Sequence, residues 1–489
     1  MSLAHERPRE AAAQYAVPML RSLRHVLLVV VCTWMAVITV PSSAMAHGRE
    51  PMVGLVAFDP SDPDHFVLRG TWAFLTTRDG GESFTWSCAV AIGYDRLSED
   101  PPVAITESGR ISLGTFDGMR RSTTAGCDYE DGSGDSWGSF VIDVQRDPHD
   151  DRGLWLAMSP GDRANTLLHS ANEGESFELV HAFDFGLLLE RVRLSPSDSM
   201  RVYVSGAIPR MGMEPRHVFF FHSEDGGATF ASTEIPLMTE ERNAHVLAVD
   251  PLNPDRALVR MTRIVTDEVP ERLLLTEDGG LTFRTVLETR EIVGAVFSHE
   301  GERVWVGSWD GGFHRSDDAG LTFNTLDADL RVRCLAERET ETGESELFVC
   351  VDELTNDYAV GRSYDGGETI APMWGFSDVE NVTGCDGCTV VGGVCPSYWP
   401  DVLYDIAVFG GVDGGPAPGP TDAGPLLCGE AGVPFDAALP HPDAAMRGGG
   451  AGSCGCSAGK RSTRRADLGW LVGFLLALGA AGARRAGRA

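Results

Sequence analysis

The chain has few basic residues for its length and no long segment with helical periodicity. Its 40 Lys and Arg residues stand against 71 Asp and Glu residues, which gives a formal net charge of −31 at pH 7. Because phosphate contacts require a basic face, this balance excludes nucleic acid as a partner and disfavours anionic polysaccharides. The lack of helical periodicity, together with short alternating apolar segments, predicts an all-β protein.

Signatures of catalysis and of cofactor binding are also missing. No nucleophile–base pair, phosphate-binding loop or metal-ligand spacing stands out, so the sequence predicts no catalytic residue, no metal site and no cofactor. Acidic residues do converge at Asp317 and Asp318 and again at Asp128, Glu130 and Asp131. Weak calcium binding there stays open, although neither group has the spacing of a dedicated calcium loop.

The chain does contain a repeated segment, Ser/Thr-x-Asp-x-Gly-x-Ser/Thr-aromatic. Complete copies occupy residues 77–84, 223–230, 276–283 and 316–323. Two imperfect copies occupy 170–177, with Asn172 at the acidic position, and 363–370, which ends in Ile370. A seventh copy at 122–126 has lost the acid. The copies recur at intervals of about 40 to 53 residues, which suits one four-stranded propeller blade per repeat.

The chemistry of this segment is local. A carboxylate followed by glycine can accept hydrogen bonds from nearby backbone N–H groups, while glycine adopts the positive φ that the turn requires. The Ser and Thr hydroxyls add further local bonds. We therefore predict a structural role, rather than metal binding or acid catalysis, for the residues at the acidic position: Asp79, Asn172, Asp225, Asp278, Asp318 and Asp365.

These segments resemble Asp-box (BNR) repeats, which occur in sialidases, sortilin-type receptors and photosystem assembly propellers. The resemblance covers roughly residues 53 to 376. It implies an all-β chain with a single seven-bladed β-propeller. It does not imply sialidase activity, because one fold hosts many functions.

Propeller geometry sorts the connections between strands. By this resemblance the acidic turns join the third and fourth strands on one face, while loops between the second and third strands open on the other face, where propellers usually bind partners. Those loops carry the candidate ligand residues Trp72, Phe116, Asp117, Trp309 and Asp310. Aromatic platforms beside acids suit sugars or cations. The favoured interpretation, however, is that these aromatics plug the central channel or pack on neighbouring blades.

The cysteines predict disulfides in an exported chain. We predict Cys88–Cys127 and Cys334–Cys350, because the first pair lies in adjacent repeats and the second brackets one hairpin. The remaining cluster of Cys385, Cys388, Cys395 and Cys428 allows three pairings, which the sequence leaves open. The segment from Cys385 to Cys388 also resembles a zinc half-site, but a second CxxC is missing.

Residues 1–46 read as a signal peptide. Arg21 and Arg24 precede an apolar run from Val26 to Val40, and the small-x-small segment 44–46 offers a cleavage site. Met19 stands just before the run, so a start at Met1 or at Met19 stays open. An uncleaved anchor is the alternative, but the run is short for a membrane span. Export is therefore predicted for the propeller domain, residues 47–409.

The C-terminal part changes composition twice. Residues 410–453 form a Gly- and Pro-rich linker, and residues 454–489 contain Cys454 and Cys456, a short apolar helix and a basic end. This tail resembles the MYXO-CTERM sorting tail of myxobacteria. The resemblance implies cleavage near Cys454 or Cys456 and a membrane contact through the transmembrane helix or a lipid anchor. The predicted location is the cell surface or outer membrane, with extracellular release as the alternative.

Two functions compete on this evidence. A non-catalytic binding or scaffold propeller for a glycan or a cell-envelope protein is favoured by elimination. The alternative is a glycoside hydrolase of the sialidase-like propeller type, but this would need an Arg cluster, a Tyr–Glu pair and an acid that the sequence does not display. The chain is therefore predicted to be non-enzymatic, and its ligand and oligomeric state stay open.

Overall fold

A computed structural model of the chain describes residues 50–96, 98–210, 215–263 and 269–409. The predicted signal peptide, the linker and the sorting tail lie outside the described residues, and with them Cys428, Cys454 and Cys456. Among the residues that are described, no helix is long and apolar enough to cross a membrane.

Seven antiparallel sheets of four consecutive strands, numbered here as blades 1 to 7, make up the described chain. The strands of blades 1 to 4 are β1 (Val53–Phe58), β2 (Phe66–Gly70), β3 (Ala73–Thr77), β4 (Phe84–Ser87), β5 (Val103–Ile105), β6 (Ile111–Gly114), β7 (Met119–Ser122), β8 (Tyr129–Asp131), β9 (Phe140–Arg146), β10 (Leu154–Ser159), β11 (Thr166–Ser170), β12 (Glu178–Ala182), β13 (Leu188–Leu194), β14 (Val202–Ile208), β15 (His217–Ser223) and β16 (Ala231–Glu234).

The strands of blades 5 to 7 are β17 (Glu241–Val249), β18 (Ala257–Arg263), β19 (Glu271–Thr276), β20 (Arg284–Thr289), β21 (Ile292–Phe297), β22 (Val304–Ser308), β23 (Phe313–Ser316), β24 (Asn324–Asp327), β25 (Val332–Glu339), β26 (Ser345–Val351), β27 (Val360–Ser363) and β28 (Ala371–Trp374). The short helices α1 (Ala89–Ile92) and α2 (Glu353–Asn356) lie in connections between strands. So do the 3₁₀ turns Gly134–Ser136 and Phe376–Asp378.

The first strands of the blades form a closed inner ring. Each contacts the first strand of the next blade, and β1 contacts both β5 of blade 2 and β25 of blade 7. Because strands within a blade alternate in direction, the hairpins β1–β2 and β3–β4 lie on one face. We call this the turn face. The β2–β3 hairpins and the connections between blades lie on the opposite face, which we call the loop face. The predicted seven-bladed β-propeller is thus confirmed.

Aromatic residues fill the space between neighbouring blades. Phe283, which ends the repeated segment of blade 5, packs edge-on against Phe220 of blade 4 at a centroid distance of 5.2 Å. Trp305 of blade 6 is fully buried and donates its indole N–H to the carbonyl oxygen of Gly366 in blade 7 at 2.9 Å. Burying one such side chain contributes about 1.5–3 kcal/mol, so these residues tie each sheet to the next.

The segment after blade 7 returns to blade 1. After the 3₁₀ turn, strand β29 (Val379–Val382) pairs in parallel with β4 at the outer edge of blade 1, and helix α3 (Val390–Phe409) follows. We call residues 376–409 the C-terminal cap. Because every blade is built from consecutive strands, the cap rather than a shared sheet links the last blade to the first.

Two disulfides attach the cap, and they correct one predicted pairing. Cys88 bonds to Cys395, and Cys127 bonds to Cys385, so the predicted Cys88–Cys127 disulfide is wrong. The two cysteines of blades 1 and 2 do not meet, because the cap runs past both blades and supplies a partner to each. Because Cys385 is in a disulfide, it is not available as a zinc ligand. Cys385 and Cys395 also do not pair within the C-terminal cysteine cluster, since each bonds to a cysteine of blade 1 or 2. Cys388 lies exposed at the surface.

The predicted Cys334–Cys350 disulfide is confirmed. The two residues are direct partners in the β25–β26 ladder, which is why a hairpin argument from the sequence finds them.

The cap explains why the repeat of blade 2 has lost its acid. In this turn the acidic and hydroxyl positions are exchanged. Thr124 occupies the third position of the segment, where the other copies have Asp or Asn, and Asp128 occupies the seventh, where they have Ser or Thr. Oδ1 of Asp128 accepts a hydrogen bond from the backbone N–H of Val390, the first residue of α3, at 2.8 Å. Cys127 beside it carries the disulfide to Cys385. The degenerate copy is the turn that holds the cap.

Candidate functional site

The turn face repeats one self-satisfied arrangement. In blade 4, Asp225 accepts hydrogen bonds from the Thr229 hydroxyl at 2.6 Å, from the Thr229 N–H at 2.8 Å and from the Ser223 hydroxyl at 2.7 Å. The bonds from Thr229 and Ser223 lower the pKa of Asp225 to about 2. A carboxylate held this way is a poor proton donor and has few lone pairs left for a metal.

The equivalent acids have the same partners. Asp79, Asp278, Asp318 and Asp365 each accept bonds from the residue four positions later and from the preceding Ser or Thr. Asn172 occupies the same place without a charge, accepting from the N–H of Ser176 and donating to its hydroxyl. The structure thus places all six residues in backbone-ordering turns. Among the described residues, no group of acids, histidines or cysteines is arranged to hold a metal ion.

Trp72 does not belong to an accessible ligand face, which corrects its predicted role. Its side chain is 7% exposed, and its ring packs edge-on against Phe376 at 4.9 Å and against Phe409 at 6.4 Å. Its carbonyl oxygen accepts the indole N–H of Trp86. The sequence could not anticipate this burial, because the covering residues come from the cap, more than 300 positions away.

Trp309 is half-buried beneath two arginines. The guanidinium of Arg333 lies 3.3 Å from the centroid of its ring and that of Arg331 lies 5.2 Å away. Arg333 also binds Glu50 at 3.1 Å, which fixes it over the ring. The neighbouring Asp310 is exposed and forms an ion pair with Arg290. This aromatic face is therefore already occupied by cations from the protein itself.

Phe116, Asp117 and Asp310 are the predicted ligand residues that remain exposed, and of these Phe116 and Asp117 lie together. Phe116 is 49% exposed, and its ring meets that of Phe140 edge-on at 5.2 Å. Hydrogen bonds from Gly138 N–H to the Asp117 carbonyl and from Val141 N–H to the Thr115 carbonyl join this hairpin of blade 2 to the start of blade 3. Blades 2 and 6 are three blades apart, so Phe116 and Trp309 cannot line one small pocket.

Exposed apolar side chains continue beyond this pair across the loop face of blades 2 to 5. They share a position at a strand end or in a connection on that face: Phe116, Phe140, Phe185, Leu188, Ile208, Met238 and Val269. We call these residues the apolar arc. Phe185, at its middle, is 76% exposed. Of the other exposed apolar residues, Met200, Leu252, Leu281 and Tyr364 lie in turns of the opposite face. Leu179 lies on strand β12, Leu354 lies on the loop face of blade 7, and Leu403 and Val408 lie in helix α3 of the cap.

Six residues of the arc were missed by sequence reasoning. The signal that could have found them is an apolar residue in a connection between blades, where polar residues are expected.

A cleft opens beside Phe140, between blades 2 and 3. It has a volume of about 230 Å³, and its polar lining is Asp135, Ser139, Arg163 and Thr166. Its apolar lining is Met158, Pro160, Leu168 and Leu179. We call it the blade 2–3 cleft. The side-chain polar atoms of these four polar residues have no hydrogen-bond or ion-pair partner within the described part of the chain.

Two glutamates on the loop face of blade 5 are buried, and both are neutralised. Glu241 accepts two hydrogen bonds from Arg272, at 2.7 and 2.8 Å, and Glu271 accepts two from Arg260, both at 2.8 Å. Although burial raises the pKa of Glu241, the bonds from Arg272 outweigh that effect and lower it. Paired this way, these groups hold strands together and are not poised for proton transfer.

Glu99 is a loop-face carboxyl whose pKa shifts in the opposite direction. Burial raises its pKa, and the nearby charges of Asp117 and Asp95 add to the increase. One oxygen accepts the N–H of Phe116 at 3.3 Å, so Glu99 lies directly under the exposed aromatic pair. Glu353, in α2 on the loop face of blade 7, also has a pKa raised by burial, so Glu99 and Glu353 are both described loop-face carboxyls that resemble tuned acids.

Comparison with known proteins shows the fold. No protein-family profile and no curated protein matches the chain. Among solved structures it is similar to an ancestral GH74 enzyme, at 14% identity and a TM-score of 0.51, covering 66% of this chain and 46% of the other. A GH74 enzyme from Niastella koreensis gives 17% identity, a TM-score of 0.42 and coverages of 65% and 58%.

YCF48 from Cyanidioschyzon merolae gives 14% identity, a TM-score of 0.44 and coverages of 65% and 97%. The chain spans about half the length of the two GH74 structures. At such low identity the similarity defines a β-propeller protein and carries no substrate with it.

Proposed function

We propose that this protein is a non-catalytic binding propeller, exported to the cell surface, whose loop face holds a glycan or a cell-envelope protein. The apolar arc is the observation that carries the proposal. Its members are not needed to close the ring, since they stay exposed while the blades pack through other residues. Exposed apolar side chains concentrated on one face mark interaction sites.

Export is supported by the disulfides. Three bonds join cysteines separated by 307, 258 and 16 positions, and such bonds persist in oxidising compartments. The predicted signal peptide and the predicted sorting tail with Cys454 and Cys456 are consistent with this location. Under the proposal the linker 410–453 spaces the propeller from the membrane.

The test compares two surfaces of one protein. We expect the double variant Phe185→Asp/Leu188→Asp, in the apolar arc, to weaken binding of the labelled mature chain to isolated envelopes at least about tenfold, the effect of about 1.4 kcal/mol. The control Leu252→Asp/Leu281→Asp places the same charges on the turn face and should bind like the unmodified chain. Equal binding by both variants would refute a loop-face binding function.

Glycoside hydrolysis is the second candidate, and the raised pKa of Glu99 beside Asp117 is the observation that favours it. A general acid needs such an environment. We expect no release of reducing ends from oligosaccharides by the mature chain. Release that disappears in Glu99→Gln, with unchanged melting temperature, would replace the binding function by catalysis.

A further inference from the structure

We infer that the blade 2–3 cleft is a saccharide-binding site that takes one uncharged sugar ring, with the exposed pair Phe116 and Phe140 next to it. This inference rests on the proposed binding function and names a ligand class and a place for it. It uses the cleft, the aromatic pair and the polar residues that have no partner in the described chain.

The aromatic pair is presented rigidly. Phe116 and Phe140 are 49% and 39% exposed, yet the strands that carry them are joined by backbone hydrogen bonds of 2.7 and 3.0 Å. Ser139, which lines the cleft, directly precedes Phe140. The C–H groups on one side of a sugar ring carry a partial positive charge, which suits the negative face of an aromatic ring. Rigid presentation lowers the entropy lost on binding.

The hairpin opposite is also fixed. Asn165 donates its side-chain N–H to the carbonyl of Leu187 at 3.1 Å, and its own carbonyl accepts the N–H of Phe183 at 3.0 Å. These two bonds attach the β10–β11 connection, which carries Pro160 and Arg163, to the connection that follows β12 in the same blade. The two sides of the cleft are therefore both held in place without a ligand.

The polar groups match hydroxyls better than an apolar side chain. Arg163 can only donate hydrogen bonds, Asp135 can only accept them, and the hydroxyls of Ser139 and Thr166 can do both. Sugar hydroxyls also do both, so one ring can satisfy all four while its C–H face covers Leu168 and Leu179. An apolar peptide side chain would offer no hydrogen-bond partner to these four groups.

The size and the charge of the cleft narrow the class of ligand further. At about 230 Å³ the cleft is smaller than the roughly 300–1,000 Å³ of pockets for drug-sized ligands, which suits a single ring of a longer chain. One cation and one anion face it, so their charges balance. The net charge of −31 repels polyanions. A neutral oligosaccharide is the ligand that fits these conditions.

The experiment measures binding of the mature chain to cellohexaose, chitohexaose, mannohexaose and laminarihexaose by calorimetry, with an alginate hexasaccharide as the anionic comparison. We expect one or more neutral probes to bind and the anionic probe not to bind. Phe140→Ala and Arg163→Ala should each weaken that binding at least about tenfold. Leu252→Ala removes an exposed apolar side chain of the turn face, and it should leave the affinity unchanged.

Three other outcomes would each contradict the inference, and the measurements distinguish them from one another. Binding that survives both cleft variants but is lost in Trp309→Ala would move the site to blade 6 and keep the binding function. Binding to envelopes without binding to any of the sugars would overturn the saccharide and indicate a protein partner. Binding to neither would overturn the proposed function as well. All variants are checked by thermal melting. Phe140 and Arg163 are exposed, so folding should persist in the two cleft variants.

Discussion

The turn face and the loop face are built from the same strands but follow opposite rules. On the turn face all seven connections between third and fourth strands share one conformation, with positive φ at the two positions after the acid. In each, the second of these is a glycine whose N–H is bound by the preceding Ser or Thr hydroxyl. On the loop face the connections between second and third strands differ in length, from two residues in blade 1 to eight in blade 7.

The difference shows where sequence freedom lies. A turn that satisfies its own polar groups can be copied into every blade, whatever its neighbours are. The second glycine has no such freedom, since a Cβ at Gly280 would lie 2.3 Å from Phe220 of the preceding blade. Loop-face connections obey no shared constraint, so they can keep exposed phenylalanines and polar groups without internal partners. We therefore expect functional residues in the loop-face connections, whose sequences the repeat does not constrain.

The largest effect is expected from releasing the cap, which covers Trp72 on the loop face. We predict that Cys88→Ala/Cys395→Ala lowers the stability of the folded chain by about 2–5 kcal/mol, because the bond closes a loop of 307 residues. Trp72 should then become accessible. Limited proteolysis with mass spectrometry should show new cleavage within residues 385–409.

Cys334→Ala/Cys350→Ala is the matched control for the cap. It removes a disulfide inside one hairpin, so it should lower the melting temperature without exposing the cap. If the cap resists proteolysis equally in both double variants, the disulfide to blade 1 does not hold it.

The next largest effect is expected from a substitution that disrupts one copy of the repeated turn. In blade 5 the Thr276 hydroxyl accepts the N–H of buried Gly280 at 2.8 Å. Thr276→Val keeps the shape but leaves that N–H without an acceptor, so we predict a loss of about 1–3 kcal/mol in the free energy of unfolding. Thr282→Val, on the exposed side of the same turn, is the control and should cost much less. Similar losses in urea unfolding would mean that the hydroxyl does not order the turn.

The smallest effect is a pH dependence. Burial alone would raise the pKa of Asp318, but hydrogen bonds from Ser316 and Thr322 outweigh it and lower the pKa from 3.8 to about 2. A lowered folded-state pKa means that this stabilisation is complete above pH 3.8 and is lost as the pH falls towards 2. Asp318→Asn copies the natural Asn172 turn, which cannot titrate.

We therefore expect Asp318→Asn to be less stable than the unmodified chain at neutral pH, and the gap to close by about pH 2. Circular dichroism of thermal melts across this range measures it. A gap that stays constant with pH would show that the charge of Asp318 contributes nothing to the fold.

Much of the fold could be predicted because its signals are local. The spacing of the repeats indicates seven blades, and the direct cross-strand position of Cys334 and Cys350 makes their pairing readable from a hairpin. Phe116 was found because it lies in a β2–β3-type loop. Phe140 and Phe185 were missed because they lie in connections between blades, where nothing in the repeat distinguishes a ligand contact from a core residue.

By itself the sequence determined the strand order, the blade count and the conformation of the acidic turns, since each depends on residues within one repeat. Tertiary structure alone decided which aromatic stays exposed and which cysteines pair with Cys88 and Cys127. Trp72 and Phe116 occupy similar loops, yet the cap covers only the first. The physical reason is distance along the chain. The cap, residues 376–409, contacts blades 1 and 2 only because the ring closes, and no local sequence pattern indicates which residues that closure brings together.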